Sequence, residues 1–121
     1  MTTQAAESGA SRAPLIPQPA LTREALREAV RYIKPLNLSQ YDRELGEAFD
    51  QAVRTESIGW TQGFLIKWAT FIAVERWPER AADLRAAEQV TADPSASEEQ
   101  IREAQTRISR ILADAEREIE R

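Results

Sequence analysis

Apolar residues after residue 20 recur every three or four positions, the spacing that places side chains on one face of an α-helix. No stretch alternates between apolar and polar residues as a strand would. The pattern predicts an all-α fold, a single small bundle of about five helices. The predicted helices are 23–34, 40–55, 58–77, 78–90 and 98–121.

The third predicted helix, 58–77, is the most apolar and is expected at the centre of the bundle. From Gly63 to Val74 the only charged residue is Lys67. This run is shorter than the roughly 20 apolar residues that a bilayer crossing needs. One sector is expected in the core and contains Trp60, Phe64, Leu65, Trp68, Phe71 and Ile72. The opposite sector is also apolar or small and contains Ile66, Ala69, Ala73 and Trp77. Both sides therefore require cover, the second from another layer of the chain or from a partner.

Helix boundaries are marked by residues with clear local preferences. Thr22 is a good N-cap for the first helix, and Pro35 disfavours its continuation. Pro78 suits the first position of the fourth helix, where its missing N–H costs nothing. Ser97 and Gln100 have the spacing of a capping box at the start of the fifth.

The first twenty residues are rich in Pro, Ala and Ser, and the only bulky apolar residues among them are Leu15 and Ile16. We predict a disordered tail over 1–20 and one helical domain over 21–121. Loose packing of Leu15 and Ile16 on the domain is favoured over a docking motif. We expect neither a secretory signal nor a membrane span, and therefore a cytoplasmic protein.

Composition excludes several classes of chemistry. The chain of 121 residues contains no cysteine and no histidine, so thiol or Ser-His catalysis and His or Cys zinc sites cannot occur. The formal charge of −4 argues against nucleic acid and favours a basic protein surface as partner. We expect no cofactor.

Two polar features could serve a ligand. Lys67 could bind an anionic group, although we favour an aliphatic stem that packs while the ammonium reaches water or a helix carboxylate. A second set of side chains could hold Mg²⁺ as in all-helical nucleotide pyrophosphohydrolases. These carboxylates are Glu44, Glu47, Asp50, Glu75 and Glu79. They lack the second half of the expected Glu-x-x-Glu and Glu-x-x-Asp pairing, so a solvated helix face is favoured and no metal is assigned.

The segment 75–82 joins two helices at Trp77-Pro78 and alternates in charge. We interpret it as a proline-set corner that also offers an edge to a partner. The tryptophans could form a stacking site, but large aromatics at helical spacing are more typical of a core.

The segments 41–45, 63–69, 76–88, 108–112 and 115–118 together resemble a family of small actinobacterial all-helical proteins classed as a domain of unknown function. The resemblance implies a short cytoplasmic helical protein, with some relatives encoded beside toxin-type genes. It implies no functional residues.

These observations predict a non-enzymatic protein-interaction module, antitoxin-like or regulatory. The predicted partner-binding residues are Ile66, Lys67, Arg76, Trp77 and Arg80. Two alternatives stay open: a Mg²⁺-dependent nucleotide phosphohydrolase, and a homodimer that associates through 98–121.

Overall fold

The computed structural model describes residues 13–119, which form five α-helices and a short 3-10 turn without any strand. The elements are α1 (Arg23–Ile33), the 3-10 turn (Pro35–Asn37), α2 (Leu38–Thr55), α3 (Gly59–Glu75), α4 (Pro78–Ala92) and α5 (Glu98–Arg117). The all-α prediction is confirmed. Residues 1–12 of the predicted tail and 120–121 of the predicted fifth helix lie outside the described residues. No helix in the described part is both long and apolar enough to cross a membrane.

Three predicted helix starts are found where local chemistry placed them, whereas α2 begins at Leu38, two residues before its predicted start and without a side-chain cap. The Thr22 hydroxyl accepts a hydrogen bond from the Ala25 N–H at 3.1 Å. Ser97 and Gln100 form the full capping box, with distances of 3.1 and 2.8 Å. Pro78 is the first residue of α4. Each cap satisfies N–H groups that have no partner inside the helix.

Helix α3 lies at the centre and contacts all four other helices. A first core between α1, α2 and α3 is built around Tyr41. The centroid of its ring lies 4.9 Å from that of Phe64 and 5.2 Å from that of Trp68, both in T-shaped arrangements. The Tyr41 hydroxyl donates to the Arg23 carbonyl at 2.6 Å, and burial raises the pKa of Tyr41 to about 12. Edge-to-face contacts of this kind add stability beyond that of the buried area.

A second, smaller core lies between α3, α4 and α5. Its buried members are Ala73, Val74, Ala81 and Ala115. Small residues on three helices let the backbones approach closely. The second sector of α3 is thus largely covered by the chain itself: Ala69 and Ala73 are fully buried, while Ile66 and Trp77 are half-buried.

Trp60 departs from its predicted place in the core, since it is 48% exposed. It lies in the first turn of α3, where the adjacent groove is lined by residues of α2 and α3 alone. Helical spacing places Trp60 on the same face as Phe64 and Trp68. It does not show how much of that face the other helices cover.

Residues 13–20 also differ from the prediction of a disordered tail. The Leu15 N–H donates to the Arg76 carbonyl at 2.7 Å, and the Gln18 side chain donates to the Ala69 carbonyl at 3.1 Å. Ile16 packs against the first core. We call residues 14–18 the strap. Composition predicted disorder because it could not reveal the carbonyl acceptors of Ala69 and Arg76.

Candidate functional site

Three of the five predicted partner-binding residues meet at the corner between α3 and α4. The Glu118 carboxylate, just beyond α5, accepts hydrogen bonds from Arg76 Nη2 at 2.7 Å, Arg80 Nη2 at 2.7 Å and Trp77 Nε1 at 3.1 Å. We call these four residues the Glu118 clamp. It joins the end of the chain's last helix to the turn that separates α3 from α4.

The clamp also completes the C-terminal end of α3. The last carbonyls of a helix have no partner within it. Arg80 Nη1 donates to the Ala73 carbonyl at 2.8 Å, and the Leu15 N–H satisfies the Arg76 carbonyl. The guanidinium carbons of Arg76 and Arg80 lie 5.1 and 5.6 Å from the centroid of the Trp77 ring, within cation–π range. Both cations thus lie where the helix dipole favours positive charge.

Burial gives the clamp its electrostatic strength. Arg76 is only 8% exposed, which requires a nearby negative charge or acceptors for its donors. Burial on its own would raise the pKa of Glu118, but the hydrogen bonds from Arg80, Arg76 and Trp77 outweigh it and leave that pKa below its ordinary value. Glu118 is therefore ionised at neutral pH, and the clamp is an internal contact.

A cleft of about 340 Å³ adjoins the clamp between α4 and α5. Trp77 and Arg80 form one side, and Ile111 and Asp114 form the other. The half-buried indole of Trp77 is the part of the predicted corner that remains available to a partner.

Lys67 lies away from this corner and makes a different ion pair. Its Nζ is 2.7 Å from Glu44 Oε1, which also accepts from Trp68 Nε1 at 2.9 Å. Gln40 donates to the other oxygen at 2.9 Å. Burial opposes ionisation of Glu44, yet these bonds, above all that of Lys67, hold its pKa below the ordinary value. The exposed ammonium bound to a helix carboxylate agrees with the favoured interpretation of Lys67.

The carboxylates proposed as Mg²⁺ ligands are not brought together. Glu44 is occupied by Lys67 and Trp68, whereas Glu75 lies within 3.6 Å of Lys34 Nζ and 3.4 Å of an Arg85 nitrogen. Lys67 and Glu75 are eight residues apart on α3, a rise of about 12 Å. Among residues 13–119, no group of three or more Asp or Glu side chains is arranged to hold a metal ion.

The most exposed apolar surface of the α2–α3 hairpin lies at its turn, opposite to the clamp along α3. Four large side chains there are open to solvent: Phe49 at 61%, Val53 at 64%, Ile58 at 69% and Trp60 at 48%. We call these four residues the hairpin tip. Trp60 lines a groove of about 670 Å³ and Phe49 lines another of about 680 Å³, and the two grooves share Asp50 and Phe64 as lining residues.

Sequence reasoning missed the hairpin tip as a functional candidate, although one signal was present. The apolar positions of α2 are Tyr41, Leu45, Ala48, Phe49, Ala52 and Val53. This stripe is wider than the single face that α3 can cover. In the structure Tyr41 and Ala48 are buried, and the flanking ridge of Phe49 and Val53 is left open.

Comparison of the chain with protein-family models, with curated proteins and with solved structures finds no match. The resemblance to an actinobacterial family therefore stays a prediction. The residues of the tip and the clamp are the basis on which a function can be proposed.

Proposed function

We propose that this chain is a non-enzymatic protein-interaction module and that the hairpin tip is the surface that binds the partner. The observations that carry this proposal are the exposure of Phe49, Val53, Ile58 and Trp60 and the two grooves beside them, one lined by Phe49 and the other by Trp60. Single exposed apolar residues are normal on a protein surface, whereas several together mark an interaction site. Trp is also among the residues that most often dominate binding energy.

The partner that fits this surface is an amphipathic helix whose apolar face is flanked by Lys or Arg. Grooves between packed helices commonly accept such a helix. The groove beside Trp60 is lined by three acidic residues, Glu44, Glu47 and Asp50, and two basic ones, Arg54 and Lys67. Lys67 is paired with Glu44, which leaves Glu47 and Asp50 as the exposed acidic side chains of the groove. With the net charge of −4, this favours encounter with a basic segment.

Among the residues predicted from sequence, Lys67 is the one that lines a tip groove. Arg76 and Arg80 direct their guanidinium groups into the clamp, which makes them supports of the fold in this proposal. Ile66 and Trp77, both half-buried, are secondary candidates for contact.

The role of such a module is to cover a surface of its partner, as an antitoxin-like or regulatory protein would. The lack of cysteine supports a reducing compartment, and we propose the cytoplasm. The lack of histidine and cysteine supports a non-enzymatic role.

The test compares the chain with variants that alter only the tip. Affinity capture from the native cell identifies the partner, and its Kd is then measured for the native chain, for Phe49→Ser with Trp60→Ser, and for Leu36→Ser. Leu36 is a matched control because it is 97% exposed and lies in the 3-10 turn, outside the tip. We expect the tip variant to lose about 30-fold in affinity, as removal of a binding hot spot does.

Thermal stability should be nearly unchanged in both variants, because neither opens a cavity in a core. Equal loss for the tip variant and the Leu36 control would contradict the proposal. So would a tip already covered in solution by a second copy, which sedimentation of the native chain would reveal as a concentration-dependent mass.

A further inference from the structure

The strap lies along the C-terminal half of α3, between Ala69 and Arg76, in the manner of a bound peptide. Exposure alternates along it: Pro14, Ile16 and Gln18 are partly buried, while Leu15 and Pro17 are exposed. Such alternation is typical of a chain that lies along a surface with successive side chains on opposite sides. Ile16 is the one bulky apolar side chain of the strap that packs against the first core.

Two of the three hydrogen bonds that fix the strap use its main chain. The Leu15 N–H donates to the Arg76 carbonyl at 2.7 Å, and Arg76 Nη1 donates to the Ile16 carbonyl at 3.1 Å. The third runs from the Gln18 amide to the Ala69 carbonyl at 3.1 Å. Main-chain bonds are available to any peptide of suitable shape, so selectivity depends mainly on the first core, against which Ile16 packs.

Glu118, which is outside the strap, orients the principal donor of this contact. Arg76 Nη2 is bound to Glu118 at 2.7 Å, which orients the guanidinium so that Nη1 faces the strap. A donor fixed in this way binds an acceptor at a lower entropic cost than a mobile side chain would.

The strap is also an imperfect occupant. Two buried atoms at this contact, Arg76 Nε and Gln18 Oε1, have no hydrogen-bond partner among the described residues. A buried donor or acceptor without a partner costs free energy, since water would satisfy it in the open state. These two atoms are hydrogen-bonding groups that the contact of the strap leaves unused.

We propose that the groove beneath the strap is a peptide-binding site that the strap occupies in cis and from which it can be displaced. The partner segment that fits is uncharged and without regular secondary structure, with an aliphatic residue followed by proline as in Leu15-Ile16-Pro17. Proline reduces the flexibility of the free segment, so less entropy is lost on binding. This site is separate from the hairpin tip, and neither proposal depends on the other.

The test uses the full chain and a labelled peptide of residues 13–20, Ala-Pro-Leu-Ile-Pro-Gln-Pro-Ala, with blocked ends. In the native chain the strap competes, so the apparent affinity for the peptide is reduced by the fraction of molecules whose strap is open. Ile16→Asp places a charge where the core receives the strap and opens it. We expect this variant to bind the peptide at least about tenfold tighter than the native chain, as removal of the competitor requires.

Leu15→Asp is the matched control, because Leu15 is the neighbouring aliphatic residue and its side chain is 53% exposed. This variant should bind the peptide as weakly as the native chain. A peptide with Asp in place of its Ile should bind none of them. A mixed dimer of one Ile16→Asp chain and one native chain would also support the site, since it would show the native strap bound in trans to the variant.

Equal peptide affinity in the native chain and the Ile16→Asp variant would overturn the proposal, as would no binding to either. Hydrogen exchange of the native chain is a measurement that needs no variant. We expect the Leu15 amide to exchange faster than the amides of the α3 centre, since strap release precedes global unfolding. Exchange of both at the same rate would show that the strap is a fixed part of the fold and would equally overturn it.

Discussion

Glu118 combines three tasks in one side chain: it neutralises Arg76, orients Arg80 and accepts the Trp77 indole N–H. A buried guanidinium without a counter-charge is costly, because its desolvation is no longer offset. The stability of the corner therefore depends on this carboxylate more than on any other charged group of α5.

We expect Glu118→Gln to lower the free energy of unfolding by about 2–4 kcal/mol, somewhat less than the loss of about 3–5 kcal/mol found when one partner of a fully buried ion pair is removed, because Glu118 is partly exposed. Glu116→Gln is the control, because Glu116 is an exposed carboxylate two residues earlier, in the last turn of α5. Urea unfolding measures both. A loss for Glu118→Gln no larger than that for the control would contradict the account of the clamp.

Acid should destabilise the protein through Glu118 and Glu44. Both have a pKa below the ordinary value of 4.5, so the unfolded chain binds protons at a higher pH than the folded one. Their contribution is complete above about pH 5 and is lost as the pH falls through the folded pKa values. Melting curves from pH 7 to pH 3 should show this decline. In the variant with Glu118→Gln and Glu44→Gln, the decline should be shallower, and an unchanged slope would contradict it.

At the scale of the element, caps set the helix ends and the surrounding helices set which faces are covered. α5 begins with a full capping box and carries acidic residues in its first turn. Both features satisfy or complement the free N–H groups there. The start of α5 is thus determined within four residues of sequence.

Ser97→Ala should lower stability by about 1 kcal/mol, the usual cost of a lost N-cap. Ser109→Ala, in the exposed interior of α5, should be neutral or slightly stabilising, because Ala is the better helix former. Thermal melting of the two variants measures the contrast. Equal effects would mean that the cap does not determine the start of α5.

α3 shows where reasoning within one element fails. Its two ends have similar apolar content, but the C-terminal end is covered by α4, α5 and the strap, and the N-terminal end contacts α2. The periodicity correctly places Trp60 on the same helix face as Phe64 and Trp68. It does not show whether other helices cover that face at Trp60. The predicted contact surface at Trp77 and the observed tip at Trp60 differ for this reason.

At the scale of the whole molecule, α3 is shared by two cores, and both described ends of the chain lie against it. The strap is bound to α3 at the Ala69 carbonyl, while Ile119 packs into the first core. Glu118 and Arg76 connect these two ends through one network of hydrogen bonds. The clamp accordingly links the stability of α5 to the place where the strap binds.

The apolar stripe of α5 shows what the sequence pattern can and cannot predict. It consists of Ile101, Ala104, Ile108, Ile111 and Ala115. Its spacing correctly predicted an amphipathic helix, and Ala104 and Ala115 are buried within this chain. Ile111 and Leu112 pack on the second core, so that part of the stripe is used inside the molecule. The homodimer through 98–121 stays a prediction.

The sequence by itself determined the all-α class, the number of helices, the capped starts and the centrality of α3, because these depend on local spacing and caps. The tertiary structure decided that Arg76 and Arg80 meet Glu118, that the strap lies on α3 and that Phe49 and Trp60 stay exposed. Those outcomes depend on contacts between residues far apart in sequence and on which faces the neighbouring helices cover. Local periodicity carries no information about either.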